Sequence, residues 1–246
     1  MNVIFTLNFL FMALPFFYKD DIDASIVDVV LDEDTSKHIV QVLRMQNGEQ
    51  LQLTNGRGDL FTCEIISDNR KKCVVSVIQR SRIPDPGSKI SIAISLIKNS
   101  SRFEWFLEKA TELGVSEIIP LVCERTEKTA FKADRMKSIL VSAMLQSQQC
   151  RLPVLQQPQK VRQVVASATH QQKFIAHCID GEKRNLAEMM NEALSSKIIL
   201  IGPEGDFTAA EVEQALQGHF IAVAIGETRL RTETAGIAAA SLLCLV

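Results

Sequence analysis

The sequence predicts an α/β protein in two parts, a small β-barrel-like domain followed by a larger domain on a mostly parallel sheet. Three observations predict it. From Leu14 to about Gln79 short apolar strands alternate with turns, whereas beyond residue 88 strands alternate with helices. Between these regions Pro84–Asp85–Pro86–Gly87 interrupts any regular structure. Near the end, two strand–loop–helix junctions follow one another, IILIGPEGDF–TAAEVEQAL from Ile198 and IAVAI–GETRLRTETAG from Ile221.

In the first part the strands fall at Phe16–Tyr18, Ile26–Leu31, Glu49–Leu53, Leu60–Ile66 and Lys72–Ile78, with turns at Asn47–Gly48, Asn55–Asp59 and Ser67–Asn69. One helix interrupts them. In Asp34–Met45 the apolar residues Ile39, Val42 and Leu43 recur at helical spacing, with acids at the start and Arg44 near the end. In the second part Lys89–Ile97 reads as a strand. Ser101–Leu113 reads as a helix with a Ser101-to-Glu104 capping box, an apolar stripe of Phe103, Phe106, Leu107 and Ala110, and Gly114 as its stop. The strand Glu117–Leu121, helices over Asp134–Gln149 and Lys160–Ala168, the strand Lys173–Cys178 and a helix Leu186–Leu194 lead to the two junctions.

The four apolar residues before Gly202 suit a strand buried on both faces of a parallel sheet. Gly202 and Gly205 bracket the turn, and Thr208 with Glu211 forms a capping box that starts a helix with its free N–H groups toward the loop. The second loop is dense in polar groups, Glu227 through Thr234, and runs into the small-residue stretch Ile237–Val246. Two such units in succession place both loops at one sheet edge, where open α/β sheets bind ligands.

Composition bounds the function less sharply. The formal net charge of −2 gives no global sign of nucleic-acid binding, but residues 35–82 carry eight bases against four acids, which permits a polyanion footprint. Six scattered cysteines without a C-x-x-C pair and four histidines without H-E-x-x-H indicate neither a metal site nor a disulfide framework, and suit a reducing cytosol. The apolar start, MNVIFTLNFLFMALPFF, lacks a basic n-region and a cleavage site, and Pro15 with the charged segment after it cuts the run short of a membrane span. Residues 1–13 are expected to precede the first domain, and of these 1–11 to be an extension with Met12 as the natural initiator. Neither G-x-x-x-x-G-K-[ST] nor G-x-G-x-x-G follows a strand, so nucleotide hydrolysis and ordinary dinucleotide binding lose support.

Taken together, IGPEGDF, IGETRLRTETAG and the upstream SSRFEWFLEKATELGVSEIIPL and ERTEK resemble the bacterial 16S ribosomal RNA uracil-N3 methyltransferase family of the SPOUT superfamily. KHIVQVLRMQNG and LQLTNGRGDLF extend the resemblance to that family's PUA-like RNA-binding module, over residues 14–246 in all. The resemblance implies a PUA-like domain at 14–83 and a SPOUT domain at 88–246 with a deep trefoil knot. It implies S-adenosyl-L-methionine as cofactor, 16S rRNA of the small ribosomal subunit as substrate, and a homodimer.

The matching cofactor positions are Ile201, Gly202, Pro203, Glu204 and Gly205 in the first loop and Ile225, Gly226, Leu230, Arg231, Thr232, Thr234 and Ala235 in the second. Arg231 is the first choice to stabilise charge on the base, and Glu204 or Glu233 the choice to accept the N3 proton or, instead, to hold a loop. RNA contacts are expected from His38, Arg44, Arg57, Arg70, Lys71 and Lys72, and from Arg102 and Arg125 of the second domain. Three positions depart from the family pattern: Asp206 replaces a frequent second glycine, Gln149 a frequent arginine, and Lys37 a frequent histidine. The alternatives are a non-catalytic RNA-binding or ribosome-assembly factor that keeps the fold, and a methyltransferase acting on another base.

Overall fold

A computed structural model describes residues 14–179 and 183–245, so the expected extension at 1–13 lies outside the described residues. The chain divides after Pro84 into two compact units.

The first unit contains β1 (Phe16–Tyr18), β2 (Asp28–Val30), α1 (Glu33–Lys37), β3 (Gln50–Thr54), β4 (Asp59–Ser67) and β5 (Val74–Arg82). They form a five-stranded sheet in the order β1-β3-β4-β5-β2, with β1 parallel to β3 and the other pairs antiparallel. Two register shifts in β4 mark bulges, which bend a strand and let a small sheet curl. Leu51, Leu53, Phe61, Ile65 and Val75 fill its core. The helix expected over Asp34–Met45 is only partly formed. Asp32 caps α1, which passes at His38 into a π-helical turn, His38–Val42. The wider turn breaks the 3.6-residue spacing, so Ile39 is buried while Val42 and Leu43 are exposed.

In the second unit the elements are β6 (Lys89–Ser95), α2 (Ser100–Glu112), β7 (Glu117–Val122), α3 (Ala133–Gln146), β8 (Val154–Leu155), β9 (Gln159–Lys160), α4 (Val161–Ser167) and β10 (Gln172–Ala176). They continue with β11 (Arg184–Asn185), α5 (Leu186–Met189), β12 (Ser196–Ile201), α6 (Ala209–Gln217), β13 (Ile221–Ala224) and α7 (Thr232–Leu245). The sheet order is β11-β13-β10-β12-β6-β7-β8, with β9 also on β7, and every pair is parallel.

Both faces of this sheet are covered, which is why its strands read as unbroken apolar runs. On one face Ile92, Ile94, Phe174, Ile199 and Val223 pack with Phe103, Phe106 and Leu107 of α2, Leu140 of α3 and Ala239, Ala240 and Leu243 of α7. On the other Ala93, Leu121, Ile175, Ile198 and Leu200 pack with Val164 of α4 and Val212 and Ala215 of α6. Each fully buried valine, leucine, isoleucine or phenylalanine among them contributes about 1.5–3 kcal/mol.

Three sequence expectations shift. The cap of α2 is Asn99, whose side chain accepts from the Ser101 amide, rather than Ser101. Helix α5 ends at Met189, and α7 begins at Thr232, within the polar TETAG run. Among the described residues no helix is long and apolar enough to cross a membrane.

Candidate cofactor site

Because the strands are parallel, β10, β12 and β13 all end at one edge, and β10 lies between the other two. Their exits and the loops after β12 and β13 enclose a cavity of about 500 Å³, within the range of ligand pockets. From the sequence-predicted set, Ile201, Gly202, Pro203, Glu204, Ile225, Gly226, Leu230, Arg231, Thr232 and Ala235 line it.

The first loop is built by short-range contacts. Gly202 is pressed against Phe207, since a Cβ there would lie 3.1 Å from the ring and 3.2 Å from the Phe207 amide. The capping box forms as expected: Thr208 and Glu211 exchange bonds, and the second Glu211 oxygen accepts from the Glu124 amide at 3.0 Å. Asp206 adopts a left-handed backbone, φ 63°, which a glycine takes without steric cost. Its carboxylate holds that turn in place, accepting from its neighbour Phe207 N at 2.8 Å and from Cys178 N on the β10 exit at 2.8 Å.

The second loop joins the first at its far end. Buried Thr232 donates its hydroxyl to Gly202 O at 3.0 Å, and Arg229 reaches Glu204 O at 3.4 Å. Along α7 the helical repeat sorts the side chains. Arg231 and Ala235, four apart, line the cavity, whereas Glu233 and Gly236, three apart, face α2. A Cβ on Gly236 would meet Ile94 and Phe106 at 2.7 Å, so the helix needs a glycine to lie this close. Glu233 is buried, 3.6 Å from Arg102 Nε, and outside the cavity lining. Its second oxygen has no hydrogen-bond partner among the described residues.

Gly205 and Thr234 also lie outside the lining. Gly205 instead receives Arg125, whose guanidinium donates to Gly205 O at 2.7 Å. This ties the ERTEK segment to the first loop, and Thr126 continues it by bonding Ser95 and the Cys123 amide. Gln149 donates to Thr111 O and Glu112 O at the end of α2, so this departure from the family pattern acts as a helix C-cap.

The lining also contains Ala176, His177, Cys178 and Lys183, which sequence reasoning missed. The available signal was the predicted strand ending at Cys178. A parallel sheet puts that end beside the loops, but only the strand order places it between them. Burial lowers the His177 pKa, with Lys183 acting in the same direction. Glu204, Asp206 and Glu227 balance Lys183, Arg229 and Arg231 around the cavity, a mixed lining suited to a ligand bearing both signs of charge.

In the first unit His38, Arg44, Arg57, Arg70, Lys71 and Lys72 are all exposed. His38 meets Phe17 edge-on at 5.8 Å. Arg70–Lys72 lie in the β4–β5 turn, held to α1 through the Cys73 amide and Ser36. Arg57 precedes the other end of β4 and donates to Ile22 O. A nine-residue strand spans roughly 30 Å, so Arg57 and Arg70–Lys72 lie at two separate ends rather than in one patch.

A cavity at the carboxyl edge of a parallel sheet, walled by one glycine-bearing loop and one polar loop and joined in sequence to a small β unit, defines a ligand-binding α/β protein with an added module. A family model described as an RNA methyltransferase domain matches residues 84–244, and one described as an RNA methyltransferase PUA domain matches residues 31–78. The chain belongs to this RNA methyltransferase family. It is 28% identical over 219 residues to ribosomal RNA small subunit methyltransferase E of Bacillus subtilis (strain 168), across 84% of this chain and 85% of the other. A crystal structure of a probable rRNA-methyltransferase from Porphyromonas gingivalis is 40% identical, with TM-score 0.87 over 93% of this chain and 96% of that one. Ribosomal RNA small subunit methyltransferase E from Neisseria gonorrhoeae, bound to S-adenosyl methionine, is 27% identical, with TM-score 0.82 over 93% and 95%.

Proposed function

We propose that the protein uses S-adenosyl-L-methionine to methylate N3 of a uracil in 16S rRNA of the small ribosomal subunit, as a cytoplasmic homodimer. The observation that carries this reading is the cavity formed jointly by the Gly202–Glu204 and Ile225–Thr232 loops. Its size and its balanced charges fit a zwitterionic cofactor, and relatives named as small subunit ribosomal RNA methyltransferases support the methylation of rRNA. Gly202, Pro203, Ile225, Gly226, Leu230 and Ala235 would hold the cofactor, largely through backbone groups.

A trefoil knot is part of the reading. β13 lies beyond β10 from β12, yet α7 returns to pack on β6 and α2 and bonds Gly202 through Thr232. That return past the β12–α6 loop supports a threaded chain.

When bound, S-adenosyl-L-methionine supplies an electrophilic methyl group on a sulfonium. Uracil N3 carries a proton and becomes nucleophilic only on losing it. Arg231, exposed beside the cavity, orients the base and stabilises its negative charge, and cannot itself be the proton acceptor because it stays protonated. Glu204, exposed on the same wall, accepts the proton. Glu233, turned toward Arg102, positions the start of α7 instead, and Arg125 holds the first loop.

Labelled methyl transfer to small subunits lacking the modification, followed by nucleoside analysis, tests the reading: 3-methyluridine is expected, and a different methylated nucleoside would refute the N3 assignment. Arg231→Ala should lose at least about 100-fold in turnover while cofactor affinity changes little. Normal turnover by this variant removes Arg231 from the mechanism.

A further inference from the structure

A second cavity, of about 230 Å³, lies where β6 ends, between the first turns of α2 and α3. Its floor is apolar, with Phe103 and Met136 both nearly inaccessible to solvent. Its rim carries Lys128, Lys132 and Arg135 against one carboxylate, Glu104. Arg135 grips Glu104 through two bonds, at 2.7 and 2.8 Å. Those bonds hold the Glu104 carboxyl below its ordinary range, with the Lys132 charge adding to the effect. Among the described residues neither Lys128 nor Lys132 is in an ion pair, and both are exposed. An apolar floor under a lysine rim suits one ligand chemistry above others: a planar base below and its phosphate above.

The position fits that ligand. β6 is the sheet neighbour of β12, so this cavity opens at the same sheet edge as the cofactor cavity. The segment between them is short and anchored on both sides. Lys98 pairs with Glu127 at 2.7 Å, and Arg102 meets Glu233 at the start of α7. A strand of RNA whose reacting base stands at Arg231 would pass this rim with a neighbouring nucleotide.

We propose that this second cavity binds a nucleotide of the RNA substrate beside the methylated one, with Lys128 and Lys132 on its phosphate and its base seated in the apolar cavity beneath them. The inference rests on the rRNA methyltransferase reading above. A second copy of this chain is the competing occupant, and the cationic rim favours RNA because a protein partner would have to bring matching carboxylates.

The test uses the full-length protein carrying Lys128→Glu with Lys132→Glu, and separately Lys128→Arg with Lys132→Arg. Binding to small subunits lacking the modification is measured against salt concentration, alongside methyl transfer, S-adenosyl-L-methionine affinity and molecular mass in solution. The charge-reversed variant should bind subunits at least about tenfold more weakly, with a salt slope lower by about one to two, while the arginine variant stays near wild type. Cofactor affinity should be unchanged in both. Unaltered subunit binding and salt slope in the charge-reversed protein would overturn the proposal. So would a weakened dimer whose subunit binding recovers at high protein concentration, which would give the cavity to a second copy. If the wild type binds subunits but methylates nothing, the functional reading fails while the binding comparison still decides the cavity. If it binds no subunits, both fail.

Discussion

The two loops of the cofactor cavity are built in opposite ways. The first is held along its length: Gly202 against Phe207, Gly205 O by Arg125, Asp206 to both Cys178 and Phe207, and Thr208 boxed with Glu211. The second is held mainly at its end, by Thr232 on Gly202 O and a long bond from Arg229, and Gly226 through Arg229 are exposed. One wall of the site is therefore assembled by folding, and the other has its backbone groups left for a ligand to engage. Such a division suits a site that must admit and release a cofactor on every cycle.

The largest test of this difference swaps one glycine in each loop. Gly202→Ala forces a methyl against a fully buried ring and its amide, and should cost about 1–3 kcal/mol, or roughly 2–10 °C in Tm for a chain of this size. Gly226→Ala meets nothing within 4 Å and should stay within about 0.5 kcal/mol of wild type. Equal losses in thermal melts would erase the distinction between the loops.

A smaller effect separates the two roles of Asp206. Asp206→Gly keeps the left-handed turn and loses the bonds to Cys178 and Phe207, whereas Asp206→Ala loses the bonds and strains the turn as well. The alanine variant should be less stable than the glycine variant by about 1 kcal/mol. The reverse order in denaturant titration would mean that the left-handed backbone angle at this position carries no cost.

The smallest effect lies at the opposite edge of the sheet. There Ser91 donates to Glu117 at 2.7 Å and also meets His170 Nε2 at 2.8 Å, while Gln156 donates to the other Glu117 oxygen. Burial lowers the His170 pKa, with Lys89 adding to it. A depressed histidine favours folding in its neutral form, so this contribution is complete above about pH 6.5 and is lost as pH falls through the lower folded value. Glu117 is also held low: burial alone would raise it, but the bonds from Ser91 and Gln156, with Lys89 nearby, outweigh that. Tm should therefore fall from pH 7.5 to 5.5, and fall less in His170→Gln, with the remainder coming partly from His177, which burial also lowers. An unchanged pH response in His170→Gln would remove His170 from the account.

Local signals in the sequence located most strands, because a buried parallel sheet leaves continuous apolar runs, and they located the Thr208–Glu211 box, because capping is a matter of neighbouring residues. Where the outcome depended on something local but finer, the reading slipped. The cap of α2 sits two residues earlier, at Asn99, and the π turn at His38–Val42 turned Val42 and Leu43 outward. The site divided in the same way. Residues within the two loops were legible, since the motifs name them. His177, Cys178 and Lys183 were not, because they reach the cavity only through strand order. Glu233 was grouped with Arg231 by proximity in sequence, but two residues along a helix turn a side chain by about 200°, and it faces Arg102 instead.

Hydrogen exchange with and without S-adenosyl-L-methionine tests the central claim most directly. The amides of Asp206 and Phe207, bonded to Pro203 O and to the Asp206 carboxylate, should be protected already in the free protein, and those of Gly226–Arg231 should exchange quickly and slow by at least about tenfold when the cofactor is added. No change in the second loop at saturating cofactor, or a larger change in the first, would contradict a site with one wall prebuilt and the other completed by its ligand.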